Sequence, residues 1–416
     1  VTAPAPNLQI DGARLWESLM QMAQIGPGVA GGNNRQTLTD ADADGRALFR
    51  EWCEAAGCTV GVDGIGTMFA RREGTEPDAA PVYVGSHLDT QPTGGRFDGV
   101  LGVLGGLELV RTLNNAGIRT RRPVVVTNWT NEEGTRFAPA MLGSGVFIGE
   151  HELEWAYDRT DANGRRFGDE LGRIGWKGEE EVGGRPIHAY FELHIEQGPV
   201  LEAEGTDVGV VTHGQGLWWL EVRLTGRDAH TGSTPMQMRR DASLGMARVI
   251  ESAHRIAMDH QPEAVGAVGH ADLHPNSRNV VAGRAVFTID FRTPDLGKLT
   301  SMRERLEAEA REIASGLGLE IEIEPTGHYD PVTFDTGCVG AVREAARRLG
   351  YSHRDIVSGA GHDACWINRI APTAMIFCPC KDGISHNEAE EIMPDWAAKG
   401  TNVLLHAVLE TAGIAS

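Results

Sequence analysis

Three short apolar runs, Pro81-Val-Tyr-Val84, Pro123-Val-Val-Val126 and Ala189-Tyr-Phe-Glu192, are each followed closely by groups able to bind a metal ion. Helical stretches alternate with them from about Leu15 to Thr212, which reads as an α/β domain with a largely parallel sheet. Open sheets of that kind place their sites beyond the carboxyl ends of the strands. The groups are His87 and Asp98, in Gly85-Ser-His-Leu-Asp89 to Asp98-Gly99; Glu132 and Glu133, in Thr130-Asn-Glu-Glu-Gly134; and His194, in Glu192-Leu-His-Ile-Glu-Gln-Gly198. His386, in Ile384-Ser-His-Asn387, follows another β-rich run, Ala374 to Phe377. Three His and two carboxylates suit a two-metal hydrolytic site, with one Glu of the adjacent pair binding an ion and its neighbour moving the proton.

Taken singly, each of these residues has an ordinary reading. A lone His is more often a hydrogen-bonded core or surface residue. Asp98 stands at the start of a predicted helix, Gly99 to Leu113, where an N-cap carboxylate is common. Glu132 and Glu133 could be solvated carboxylates near a helix start. Five residues in matching places make the joint reading the stronger one. Asp89 is then expected to accept the second ring N–H of His87 and fix its tautomer. The glycines of the Gly99 to Leu113 helix predict close packing on the sheet.

Between about His213 and Gly327 the rhythm changes. Strand Leu217 to Thr225, helix Arg239 to His260, strands Ala264 to Leu273 and Ala285 to Arg292, helix Leu299 to Gly316 and strand Leu319 to Glu324 follow in the order β-α-β-β-α-β. That is the ferredoxin-like unit. It reads as a domain at 213–327 inserted into a discontinuous catalytic domain, 1–212 and 328–416, whose pattern resumes with helix Ala341 to Leu349, strands Asp355 to Ser358 and Ala374 to Phe377, and helix Trp396 to Ala412.

Lys+Arg 38 against Asp+Glu 58 gives a formal charge of −20, which disfavours nucleic acid and anionic membranes as partners. Bound divalent ions reverse that sign locally, so an anionic substrate stays admissible. The six cysteines show neither paired zinc spacing nor disulfide density, which predicts reduced thiols. Val1-Thr-Ala-Pro-Ala-Pro6 has no basic segment leading into an apolar one, and no apolar run reaches the roughly 18 residues of a membrane span. A cytoplasmic enzyme is expected, with an N-terminus that has been trimmed.

From Gly31-Gly-Asn-Asn-Arg35 to the His386 loop, the set of motifs resembles the M20 metallohydrolases, and among them the hydantoinase/carbamoylase branch: N-carbamoyl-L-amino acid hydrolases, β-ureidopropionases and allantoate amidohydrolases. The resemblance implies two divalent ions per subunit, zinc first, with manganese, cobalt or nickel as alternatives. It implies that His87 and His194 bind one ion, Glu133 and His386 the other, and Asp98 both, with Glu132 as general base. His194, where peptidase members supply an acid, points to the ureido-cleaving branch.

The resemblance further implies that His230, in Asp228-Ala-His-Thr-Gly-Ser-Thr-Pro235, stabilises the oxyanion, and that Asn279 and Arg292 bind the substrate carboxylate. Gln197 would contact the ureido group, and Gly361 and His362, in Ser358-Gly-Ala-Gly-His-Asp-Ala364, would line the pocket. From the residues alone, His230 and Asn279 read equally as turn chemistry. Arg292 reads at least as well as a same-face ion pair with Asp290, because Thr288, Asp290 and Arg292 share one strand face. The implied protein is a homodimer joined through the inserted lid, with His230 acting across subunits. The expected reaction is hydrolysis of an N-carbamoyl amino acid to amino acid, ammonia and carbon dioxide. Its rivals are allantoate hydrolysis, then M20 peptidase or aminoacylase chemistry, then a non-catalytic metal-binding assembly protein.

Overall fold

The computed structural model describes residues 7–415, so the reading of Val1 to Pro6 falls outside the described residues. The chain divides into two compact units, Val1–Thr212 with Phe334–Ser416, and His213–Thr333. The first contributes strands β1 (Thr59–Val62), β2 (Met68–Arg72), β3 (Val82–His87), β4 (Val124–Trp129), β5 (Ala189–Ile195) and most of β6 (Val208–Gly214). The second holds β7 (Gly216–Thr225), β8 (Ala229–His230), β9 (Val265–Ala267), β10 (Ala271–His274), β11 (Val280–Val281), β12 (Arg284–Thr293), β13 (Glu320–Tyr329) and β14 (Val332–Thr333). The chain then returns to the first unit with β15 (His353–Ser358) and β16 (Thr373–Cys378).

The sheet of the first unit runs β1-β2-β4-β3-β5-β16-β6, with β15 paired to β6. It is mixed rather than largely parallel. The four central strands, β4, β3, β5 and β16, run parallel, whereas β2 pairs antiparallel with both β1 and β4, and β6 with β16. The short connection between β1 and β2 permits only an antiparallel partner, since a parallel one needs a long crossover. The central strands are buried along their whole length, which is why they read as continuous apolar runs.

The helix Val100–Asn115 packs closely on this sheet, as its glycines predict: a Cβ on Gly102 would lie 2.3 Å from the carbonyl oxygen of Leu193. The closing helix Pro394–Ala412 is buried along most of its length. All six cysteines are free, as expected. Among the described residues no helix is long and apolar enough to cross a membrane.

The second unit has the β-α-β-β-α-β order, in an antiparallel sheet β10-β12-β7-β13. Its core sets Leu220, Val222 and Leu224 of β7 and Phe287, Ile289 and Phe291 of β12 against Val249 and Ile256 of one helix and Leu299, Met302 and Leu306 of the other. Three differences from the sequence reading have a local physical reason. The strand expected over Ala264 to Leu273 is split into β9 and β10, both paired with β12, because this glycine-interrupted run has little apolar face to bury: Val265 is 50% exposed. The first helix begins at Ala242, not Arg239, because the Asp241 carboxylate accepts the N–H groups of Ser243 and Leu244 and fixes the start there. The last strand extends through Tyr329, pairing with Leu217, so position 327 falls inside β13.

Candidate metal centre

The strand order β4-β3-β5-β16 sets the carboxyl ends of four parallel neighbours along one edge, and each delivers part of the site. His87 is the last residue of β3, and His194 lies near the end of β5. Just beyond β4, Asn131 takes a left-handed conformation (φ 60°), which turns the chain before Glu132 and Glu133. Its side-chain amide holds that turn by donating to the carbonyl of Phe137 at 2.7 Å. His386, also left-handed (φ 53°), sits in the loop after β16.

The five predicted ligands meet, and they fall into two groups that share Asp98. His87 Nε2 and His194 Nε2 lie 3.6 and 3.1 Å from Asp98 Oδ1. His386 Nε2 lies 3.5 Å from Asp98 Oδ2 and 3.6 Å from Glu133 Oε2. Within each group of three the candidate ligand atoms are all within 4.8 Å of one another. The Nδ1 atoms of His87 and His194 each contact a backbone carbonyl at 2.9 Å, of Asp89 and Ile195 respectively. That contact selects the tautomer with its proton on Nδ1 and makes Nε2 the candidate ligand atom, which in His194 accepts the Gly99 N–H at 3.2 Å.

Asp89 therefore supports the site differently from the expectation. Its backbone carbonyl, not its carboxylate, takes the His87 ring N–H. The carboxylate instead accepts the N–H groups of Glu132 and Glu133 at 3.3 and 3.2 Å, which fixes the acidic pair. Glu132 is 7% exposed, and its Oε2 stands 3.4 Å from His87 Nε2, at the edge of the first group. Gly99 is required here: its φ is 69°, and a Cβ would lie 2.4 Å from the His87 ring.

Two amides enter the cluster. Gln197 Nε2 donates to Asp98 Oδ2 at 2.8 Å and lies 3.4 Å from His386 Nε2. Gln91, which the sequence reading missed, donates to Glu133 Oε2 at 2.5 Å. Only its place four residues after His87 could have flagged it. His362 is buried, with its ring against that of His194 (centroids 4.5 Å apart, 62°) and its Nε2 2.9 Å from the Ser358 hydroxyl. Gly361 beside it is exposed. Asp363 is buried and accepts from the Ser144 hydroxyl at 2.5 Å.

The electrostatics show buried carboxylates that hold protons or would accept cations. Burial pushes the Glu132 carboxyl well above the usual range, against the pull of His87, and Asp363 and Glu133 push the same way. Burial and then Asp98 push Glu133 up to about 8. Burial opposes charge on His87, but Glu132, Asp98 and Asp89 outweigh it and raise the imidazole well above its ordinary value. Burial likewise opposes charge on Asp98, yet His194 and His87 hold it well below the carboxylate range. Buried carboxylates this close repel one another unless protons or metal ions lie among them. The donor set of imidazole nitrogens and carboxylate oxygens fits a divalent transition ion.

In the second unit, His230 and Asn279 are brought together. β8 pairs with β11 so that His230 faces Val280, and the Thr231 N–H donates to the Asn279 carbonyl at 3.2 Å. His230 Nδ1 accepts the N–H groups of Gly232 and Ser233 at 3.0 and 3.2 Å, and both His230 and Asn279 are exposed. On β12, Arg292 pairs with Asp290 at 2.8 Å.

The description Peptidase family M20/M25/M40 matches residues 83–410. An N-carbamoyl-L-amino-acid amidohydrolase of Rhizobium meliloti is 65% identical over 414 residues, covering 100% of this chain and 100% of its own. A ureidoglycolate hydrolase of Arabidopsis thaliana is 31% identical over 411 residues, covering 96% of this chain and 86% of its own. The crystal structure of an amidase of the hydantoinase/carbamoylase family from Burkholderia multivorans aligns with a TM-score of 0.96 at 56% identity, covering 98% of this chain and 99% of its own. With its family matched over most of its length and its relatives matched nearly end to end, this chain belongs to the M20 metallohydrolases, in the company of the hydantoinase/carbamoylase amidases.

Proposed function

We propose that this enzyme hydrolyses the ureido C–N bond of N-carbamoyl-L-amino acids, giving the amino acid, ammonia and carbon dioxide. The observation that carries the reading is Asp98 shared between two three-residue groups with Glu132 at their edge. The names of the relatives supply the substrate class. His87, His194 and Asp98 would hold one divalent ion, and Glu133, His386 and Asp98 a second, with zinc the first choice and manganese, cobalt or nickel the alternatives. Bound there, such ions would acidify a water molecule and polarise the ureido carbonyl.

Glu132 then takes the proton from the attacking water and returns it to the leaving nitrogen. Its raised affinity for a proton suits both halves of that task. Gln197 offers its amide to the ureido group. His230 donates to the developing oxyanion, and Arg292, with Asn279, holds the substrate carboxylate through its planar fork. Gly361 and His362 line the pocket. The second unit, His213–Thr333, serves as lid and dimerisation domain of a homodimer, with His230 acting on the partner's substrate. The cytoplasm is the proposed compartment, supported by six free cysteines.

Allantoate is the second reading, since it presents the same ureido bond to the same residues. Ammonia release from N-carbamoyl-L-amino acids, N-carbamoyl-β-alanine, allantoate and ureidoglycolate, measured side by side, separates the readings. Turnover highest with N-carbamoyl-L-amino acids is expected, and ammonia from allantoate alone would replace the first reading by the second.

A further inference from the structure

His386 is the ligand with least support of its own: its side chain is 51% exposed and its backbone is left-handed. Its loop nevertheless makes two ties to one residue, Asp98. Before His386, the Ser385 hydroxyl donates to Asp98 Oδ2 at 3.1 Å. After it, Glu390, which is 1% exposed, accepts the backbone N–H groups of Phe97 and Asp98 on a single oxygen at 3.0 and 3.1 Å. Those N–H groups lie just ahead of Gly99, the N-cap of the helix Val100–Asn115, and Glu390 is their acceptor. The segment between His386 and Glu390 is a compact turn, with the Glu390 N–H bonded to the Asn387 carbonyl at 3.0 Å and the Ala389 N–H to the Asn387 side chain at 2.9 Å. That turn ties Glu390 to Asn387, the residue directly after His386. Gly95 leaves room for this carboxylate: a Cβ there would lie 1.9 Å from Glu390 Cδ.

From this geometry we infer that Glu390 is a positioning residue that fixes the spacing between Asp98 and His386, and thereby the affinity for the ion held by Glu133 and His386. The inference rests on the two-ion reading above. Glu388 supplies the contrast. It lies two residues from His386 on the same loop, but binds the N–H groups of Ala30 and Gly32 at 2.5 and 3.2 Å, away from Asp98.

Chelator-stripped wild type and the variants Glu390→Ala, Glu390→Gln and Glu388→Ala are titrated with Co²⁺, followed by visible absorption and by chelator competition. Wild type is expected to take two Co²⁺ per chain. Glu390→Ala should bind one of them about tenfold or more weakly, with an altered spectrum, as loss of a group that orients ligands does. Glu390→Gln, which keeps the accepting oxygen, should restore the wild-type spectrum, and Glu388→Ala should match wild type. Wild-type affinity in Glu390→Ala, failure of Glu390→Gln to rescue, or an equal loss in Glu388→Ala would each overturn the role. If Glu390→Ala does not fold, Gly95→Ala displaces the same carboxylate and gives the same readings. A wild type that binds a single Co²⁺ removes the two-ion reading itself, an outcome distinct from two ions bound with Glu390 dispensable.

Discussion

Asp98 reaches His194 with one carboxylate oxygen, Oδ1 lying 3.1 Å from Nε2, and keeps the other free of that ring, turned toward His386 at 3.5 Å. A short side chain held at the head of a buried helix can face two partners in this way only if its backbone is fixed. Each oxygen thus faces one of the two candidate ligand groups, which is the arrangement the proposed bridging role needs.

Asp98→Asn leaves a single side-chain oxygen, so the side chain can no longer serve both groups at once. Bound metal, measured by elemental analysis after dialysis, is expected to fall below two ions per chain, with kcat down by about 10² or more. Two ions retained with parental turnover would show that Asp98 is not the bridge.

Glu132→Gln preserves shape and removes the proton acceptor. Loss of general-base catalysis should lower kcat by about 10² or more while metal content and KM change little. An unchanged kcat would take Glu132 out of the mechanism.

Metal-free protein should lose stability as pH rises from about 5 to 8. Glu133 and Glu390 titrate near 8 in the fold, against 4.5 for a free glutamate, so over that interval the folded state keeps protons that the unfolded chain has released. Stability then falls with rising pH, and the raised imidazole of His87 acts in the same direction above its ordinary value. Added Zn²⁺ or Mn²⁺, held by the proposed ligands, would replace the protons on Glu133 and His87, so the rise in Tm on metal addition should be larger at pH 8 than at pH 6. Thermal melts of stripped and reloaded protein at both values test this, and an equal or smaller rise at pH 8 would contradict it.

Arg292→Lys keeps the charge but not the planar fork. If the guanidinium holds the substrate carboxylate, KM should rise severalfold or more with kcat less affected. Equal kcat/KM in mutant and parent would leave Arg292 its ion pair with Asp290 and no role in binding substrate.

Mixing Glu132→Gln with His230→Ala subunits tests whether His230 acts across a dimer. Each mutant alone should be nearly inactive. Random reassortment makes about half of the dimers mixed with one intact site each, so about a quarter of wild-type activity should return. Verified exchange without recovery would place His230 in its own subunit's reaction.

The sequence by itself determined the strands and, through them, the candidate ligands. Short runs rich in β-branched residues read as interior strands, and parallel neighbours put the residues beyond their carboxyl ends along one edge, so the meeting of His87, Asp98, Glu133, His194 and His386, with Glu132 beside them, was expected from the sequence. The β-α-β-β-α-β order was legible for a similar reason, since the period of the apolar residues changes visibly between Thr225 and Leu319. Tertiary structure decided what periodicity does not encode. It made the sheet mixed, because strand direction depends on connection and partner. It gave the His87 ring N–H to the carbonyl of Asp89 and reserved the carboxylate for Glu132 and Glu133, because a hydrogen bond depends on where backbone groups point. It also brought Gln91 onto Glu133 and Glu390 onto the backbone of Asp98, the latter across 292 residues of chain. Such contacts leave no local pattern in a sequence, because they arise from distant loops meeting at the same strand ends.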